Sequence, residues 1–319
     1  MIRLHIPATS ANLGPGFDCL GLALDLWNTF DLRLAGEPGE ISVTSEGEGS
    51  KGLPQGRQNL VARTLIDETW PGIMPSDAGI QIHCHNRIPV ASGMGSSSTA
   101  VLAGLVFASA LAARALHLGE PEKVLAEVQS PANLDRVLSR AIKLEGHGDN
   151  VGPALKGGLV LVVNREYDPV VRNIDFADLK AVVCVPDYNF LTSEARAMLP
   201  GEVTRTDAIH NIGHSMLVVE ALRTGDKKLL AQAISDRIHE PTRMALIPGA
   251  HEAKRGALAE GAHAVALSGA GPGLIAFADD DHLGIGMAMV HGFAQSGIKA
   301  RYWTLDAVRQ GLRIESVAS

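Results

Sequence analysis

The stretch RIPVASGMGSSSTAVLAGLVFASALAARAL, residues 87–116, passes from a glycine and serine cluster directly into an alanine-rich apolar run. This pattern predicts a helix that opens at the serines and reaches about Leu116. Gly93 and Gly95 can take backbone conformations closed to other residues, and without side chains they let the main chain approach a ligand closely. Ser96, Ser97, Ser98 and Thr99 add hydroxyls to the free amides of the first turn, where the macrodipole favours negative charge. The combination is an anion cradle, and the phosphate chain of a nucleotide is the expected anion. Two familiar phosphate loops are excluded, since no lysine follows the glycines as in a P-loop and Ser98 occupies the place of the third Rossmann glycine. The competing explanation is an ordinary serine N-cap on a helix whose small residues permit tight packing.

Outward from this helix, alternating patterns predict strands at 23–35, 40–47 and 79–88 and a helix at 59–70. Helices are expected from 121, with proline in its first turn, and over 136–146, followed by a strand at 157–163. The charged, turn-forming segment 164–180 looks like a connector. Beyond it come a strand at 180–186, helices at 206–225, 227–237 and 250–261, strands at 264–269 and 273–278, a helix at 284–297 and a final strand at 299–305. That order is the split βαβ arrangement of ferredoxin-like domains.

Composition narrows the function. The chain has 319 residues, enough for two medium domains, and is 46% hydrophobic and 20% charged. A net charge of −7 with no basic block, and 4% aromatic residues, argue against nucleic acid as partner and favour a small molecule. No apolar run long enough for a bilayer escapes a charge or a glycine, so no membrane partner is expected. The first residues lack the apolar core of a secretory signal, which predicts a cytoplasmic protein. Cys19, Cys84 and Cys184 are scattered and odd in number, so reduced thiols are expected rather than disulfides or a zinc site.

Three further patches concentrate polar and turn-forming residues. PATSANLGPGFDCLGLALD (7–25) gathers them ahead of a strand, EGHGDNVGPALKGG (145–158) puts Glu145, His147, Asp149 and Asn150 in one short loop, and LSGAGPGLIAF (267–277) is a glycine turn between apolar strands. Each has a plain structural explanation in turn chemistry, a helix C-cap or a tight hairpin. In this order PATSANLGPGFD (7–18), PVASGMGSSSTA (89–100), EGHGDN (145–150) and SGAGPG (268–273) resemble the motifs of the GHMP small-molecule kinases, and within them those of the homoserine kinase family. The uncharged Ser10-Ala11-Asn12 stands where mevalonate and galactose kinases carry a basic residue.

The resemblance implies an α+β GHMP kinase fold. A domain like the second domain of ribosomal protein S5 would span 1–175, and a ferredoxin-like domain 176–319. It implies phosphorylation of L-homoserine by ATP with Mg2+ on the route to threonine, in a homodimer. Pro89, Gly93, Met94, Gly95, Ser96, Ser97 and Ser98 would hold the nucleotide, and Glu145 with Ser97 the metal, although in several homoserine kinases the metal glutamate falls at the place of Ser139. Asn12 and Asn150 would bond the substrate hydroxyl. Asp18, His147 and Asp149 would line the amino-acid pocket, with Asp18 or Asp149 beside the ammonium. Arg196, with Thr192, and Arg243 would fork onto the carboxylate. Gly269, Ala270 and Gly271 would present backbone amides, and Asp149 would bind and orient substrate rather than act as base. The alternatives are a GHMP kinase for another small alcohol and a catalytically silent protein of this fold.

Overall fold

The computed structural model describes residues 1–317 apart from 70–72, 165–168 and 191, and apart from the side chains of Thr192 and Ser193. The first half begins with β1 (Ile2–Ala11) and the long β2 (Leu20–Leu34), paired antiparallel from Ile2↔Leu32 to Ala11↔Gly21. The register shifts between Pro7 and Ala8. That bulge is how a strand accommodates a proline that, in the sequence, reads as part of a turn. Then come β3 (Ile41–Gly47), α1 (Leu60–Glu68), β4 (Ile80–Asn86), α2 (Ser96–Leu116), α3 (Pro121–Val128) and α4 (Pro131–Glu145). The expected helical residue Trp70 lies outside the described residues.

Several elements besides β1 depart from the sequence reading. α4 opens at Pro131, where Ser130 accepts a bond from the Asn133 amide and proline sits in the first turn. Within the supposed loop 145–158 a short α5 (Val151–Lys156) forms despite Gly152 and Pro153, because the proline lies in the first turn where no amide is missed. After β5 (Leu159–Val163), the supposed connector carries β6 (Val170–Ile174), a partly exposed edge strand paired antiparallel with β5. The seven-stranded sheet runs β11-β1-β2-β4-β3, with β5 on the other part of β2 and β6 beyond it. The chain's last strand, β11 (Arg313–Ser316), therefore returns to pair with β1, whereas the sequence reading stopped at residue 305.

The second half contributes β7 (Lys180–Pro186), α6 (Thr192–Ala197), α7 (Arg205–Thr224), α8 (Lys227–Ala233), α9 (Glu240–Leu246), α10 (Ala250–Ala259), β8 (Ala264–Leu267), β9 (Leu274–Phe277), α11 (His282–Ala294) and β10 (Ala300–Asp306). Its sheet order β10-β7-β9-β8, antiparallel throughout, is the split βαβ arrangement expected from the element order.

Three apolar clusters hold these layers. One face of the first sheet, through Leu4, Ile6 and Phe30, packs on Leu102, Val106 and Phe107 of α2 and Leu138 of α4. A second cluster joins Leu22, Leu24 and Met94 of the first half to Val183, Ile275 and Phe277 of the second. The third packs α10 and α11 on the far face of the second sheet. The small residues of α2 now have a packing reason as well, since a Cβ on Gly104 would stand 2.6 Å from Thr64 Cβ of α1. α2 is the one helix among the described residues long and apolar enough to cross a membrane, and 67% of its apolar window is buried inside the fold. Cys19, Cys84 and Cys184 are free, and burial pushes the thiols of Cys84 and Cys184 up to about 12.

Candidate active site

The site forms where three pieces of backbone converge. The end of β1, the glycine loop before α2 and the β8–β9 turn are tied by Thr9 N–H to Met94 O (3.1 Å), Gly269 N–H to Ala11 O (3.1 Å) and Gly273 N–H to Ser92 O (3.2 Å). Ser268 Oγ lies 2.8 Å from Gly93 O and 2.9 Å from Ser10 Oγ. With one proton to give, it donates to the carbonyl and accepts from Ser10.

α2 is capped by Gly95 at φ 72°, with no side chain among the described residues satisfying its first amides. The serines therefore do not cap the helix; the amides of its first turn stay open, as a phosphate cradle requires. A Cβ at position 95 would collide with Thr9 Oγ1. The hydroxyls are diverted elsewhere: Ser97 Oγ and Ser98 Oγ donate to the two oxygens of Glu145 at 3.0 and 2.9 Å, and Thr99 Oγ1 donates to Ser96 O.

A cleft of about 440 Å3 opens here. Its wall brings together Asn12, Asp18, Gly93, Met94, Gly95, Ser96, Ser97, Ser98, Glu145, His147, Asp149, Asn150, Arg196, Arg243 and Gly269. Pro89 does not reach this wall; its carbonyl accepts the Ser92 hydroxyl at 2.7 Å, and it borders a neighbouring cavity instead. The Thr192 side chain lies outside the described residues. Ser139 is in the middle of α4 and away from the cleft wall.

Several expected donors and acceptors are already engaged. Arg196 binds Asp18 through two bonds of 2.8 Å, and this pairing, its leading cause, raises the Arg196 pKa. The two residues assigned to opposite ends of a zwitterion thus face each other. Asn12, at φ 68°, donates to Gly269 O (2.8 Å) and accepts the Asp18 amide (2.9 Å), so it braces the loop that carries Asp18. Asn150 accepts from Thr9 Oγ1 at 2.8 Å. Of the glycine-turn amides, Gly269 donates to Ala11 O and Gly271 to Ser268 O, so both are engaged within the protein.

Arg243 is different. It is 1% exposed, its Nη1 lies 3.2 Å from His239 Nδ1, and its Nε has no hydrogen-bond partner among the described residues. Burial, and then the charge of Arg196, lower its pKa against the opposing pull of Asp18, Asp149 and Asp236. Two cations converging on a cleft, one of them buried and incompletely bonded, define a receptor for an anion. Phe17 flanks both, with its ring centre 5.7 Å from Arg196 Cζ and 5.2 Å from Arg243 Cζ.

His147 Nδ1 meets Asp149 Oδ1 at 2.7 Å. Burial, the largest single influence, pulls His147 down, but the Asp149 bond and the charges of Asp149, Glu145 and Asp18 outweigh it and the net shift is upward. Sequence reasoning missed Phe17, His239 and a second cavity of about 360 Å3 that shares Ala91, Ser96 and Ser97 with the cleft and extends along Asn59, Leu60 and Arg63. Phe17 lies in the GPGFD run (14–18), whose signal in the sequence is its turn residues, and His239 stands four residues before Arg243, the residue of that segment that draws the sequence reading.

Models of the GHMP kinase N-terminal and C-terminal domains match residues 58–158 and 218–285. The chain belongs to the GHMP kinases. A homoserine kinase of Synechococcus is 38% identical over 317 residues, covering 98% of each chain, and one of Desulfitobacterium hafniense is 35% identical, covering 98% of this chain and all of its own. The crystal structure of homoserine kinase from Cytophaga hutchinsonii superposes with a TM-score of 0.81 at 31% identity, over 98% of this chain and 97% of that one. Within the GHMP kinases, the chain is a member of the homoserine kinase family.

Proposed function

We propose that the cleft transfers the γ-phosphoryl group of ATP to the hydroxyl of L-homoserine, giving O-phospho-L-homoserine and ADP on the route to threonine. One observation carries the reading: a single cleft holds two anion receptors of different kinds, the uncapped first turn of α2 and the buried, incompletely bonded guanidinium of Arg243. The first suits a polyphosphate and the second a single carboxylate.

In this assignment the amides of Ser96, Ser97 and Ser98, framed by Gly93, Met94 and Gly95, hold the phosphates, and the cavity along Asn59 and Leu60 receives the base and ribose. Arg243 takes the substrate carboxylate, joined by Arg196 once the Asp18 pair opens. Asp18, released, faces the ammonium, and an entering amino acid exchanges one ion pair for two. Asn150, held by Thr9, stands beside the acceptor hydroxyl, and Asn12 fixes the loop. Asp149 shares its oxygen with His147 and so orients substrate instead of taking its proton. Positioning of this kind accounts for large rate factors without a base. Glu145 and Ser97 are the residues that would hold Mg2+, a hard cation satisfied by a carboxylate, a hydroxyl and waters, and bound there it would neutralise charge on the phosphates. Among the described residues no cluster of three or more His, Cys, Asp or Glu competes for it.

The division into lobes 1–175 and 176–319, with β11 lent back to the first, a cytoplasmic location suited to the three free thiols, and a homodimer complete the proposal. Sedimentation of the purified chain reads the assembly. ADP release over homoserine, mevalonate, shikimate and galactose tests the chemistry: turnover is expected on L-homoserine, and equal turnover on the others removes the amino-acid assignment.

A further inference from the structure

We infer that His239 is a positioning residue for the substrate carboxylate: held in one tautomer by the backbone of the opposite lobe, it fixes the Arg243 guanidinium without neutralising it. The inference rests on Arg243 being the carboxylate receptor.

His239 is 0% exposed and stands at the N-cap of α9, one turn before Arg243. Its Nε2 lies 2.9 Å from Gly14 O and its Nδ1 lies 3.2 Å from Arg243 Nη1. A guanidinium N–H can donate and cannot accept, so Nδ1 must present its lone pair. The ring proton then sits on Nε2 and is given to the Gly14 carbonyl, which can do nothing but accept. Each end of the imidazole is thus dictated by its neighbour. Asp236 does not disturb the arrangement. Its nearest oxygen is 3.8 Å from Nε2 and is occupied by the amides of His239 (2.8 Å) and Glu240 (2.7 Å), while the other accepts Asn211 Nδ2 (2.6 Å) and the Ile238 amide.

The choice of a neutral acceptor has a physical reason. A carboxylate in place of His239 would also hold Arg243, but it would cancel the charge and compete with the substrate, as Asp18 does for Arg196. A neutral imidazole restrains a long, rotamer-rich side chain and leaves the full charge for the incoming anion. Phe17 completes the clamp, stacking on the imidazole at 4.9 Å between ring centres and 22° between planes while lying against Arg243. Gly14 belongs to the loop that carries Asn12 and Asp18, so the same bond sets the carboxylate receptor relative to that loop.

Two amide substitutions separate this role from a mere tie between lobes. His239→Asn places an oxygen near the position of Nδ1 and keeps the acceptor for Arg243, while giving up Gly14. His239→Gln places its amide near Nε2, keeping the bond to Gly14 and losing the acceptor. The expected result is a homoserine KM within about threefold of wild type for His239→Asn and raised about tenfold or more for His239→Gln, with kcat and the ATP KM unchanged. The reverse order, equal effects, or no effect in either variant overturns the inference. Should a variant fail to fold, the nitrogen chemical shifts of His239 in the wild-type protein decide: an unprotonated Nδ1 supports the relay, and a proton on Nδ1 sinks it. Arg243→Lys, measured alongside, reports on the underlying reading separately. A raised homoserine KM upholds the receptor whatever His239 does, and an unchanged one overturns receptor and relay together.

Discussion

A guanidinium buried to 1% exposure beside a second arginine is a costly object, and its cost is the measure of what it binds. On the proposed reading, replacing Arg243 by Ala should lower kcat/KM for homoserine by roughly a hundredfold, since the substrate carboxylate would be left unpaired in a desolvated place. Arg196 is half in solvent and already paired with Asp18, so Arg196→Ala also frees Asp18 for the ammonium. Its homoserine KM should rise by about tenfold, with the ATP KM unchanged, and steady-state kinetics on both substrates checks the order of the two effects. His147 offers a pH test. Its folded pKa is raised above the usual value of about 6.5, so the stability it contributes is full below that value and is lost as pH rises through the folded pKa. Urea unfolding between about pH 6 and pH 8.5 should show this decline in the wild type, and His147→Gln should remove that component of the slope.

At the scale of elements, α2 has two jobs, and a pair of glycines separates them. Gly95→Ala strains a residue at φ 72° and drives a methyl into Thr9, so it should both destabilise the fold by about 1–3 kcal/mol and raise the ATP KM. Gly104→Ala crowds Thr64 of α1 in the core and should lower Tm while leaving the ATP KM alone. Thermal unfolding and ATP kinetics on the two variants read both effects. α2 was legible in the sequence because a long alanine-rich apolar run follows its opening serines and its glycines precede the first turn. β1 was not, since Pro7 and the Thr9-Ser10 pair read as turn chemistry until the bulge at Pro7/Ala8 shows how they fit a strand. α5 and β6 hid behind glycines and charges; α5 exists because its neighbours bury it, and β6 because β5 offers it a hydrogen-bonding edge. The motifs likewise marked the cleft but not its pairings. Asp18 meets Arg196 across 178 residues and Asn12 meets Gly269 across 257, and no local pattern encodes such partners.

For the molecule as a whole, the two sheets share one core in addition to the one each keeps under its own helices. Leu22, Leu24 and Met94 pack with Val183, Ile275 and Phe277, β11 carries the end of the chain back to β1, and Arg301 of β10 holds Glu48 through bonds of 2.8 and 2.9 Å. The cleft sits on this shared interior, tied by Gly269 to Ala11 and Ser268 to Gly93, so opening one half removes the floor of the site. Such an arrangement should unfold as one unit, because each half loses the surface buried in the shared core when the other opens. Trp27 on β2 and Trp303 on β10 report on the two halves separately when the remaining tryptophans are replaced by Phe. Their urea transitions should coincide. Phe277→Ala, which empties the common core from the second sheet, should shift both by the same amount, equivalent to about 3–5 kcal/mol. A Trp27 transition left in place while that of Trp303 moves would show two independent cores, and would also uncouple Arg243 on α9 from the first turn of α2.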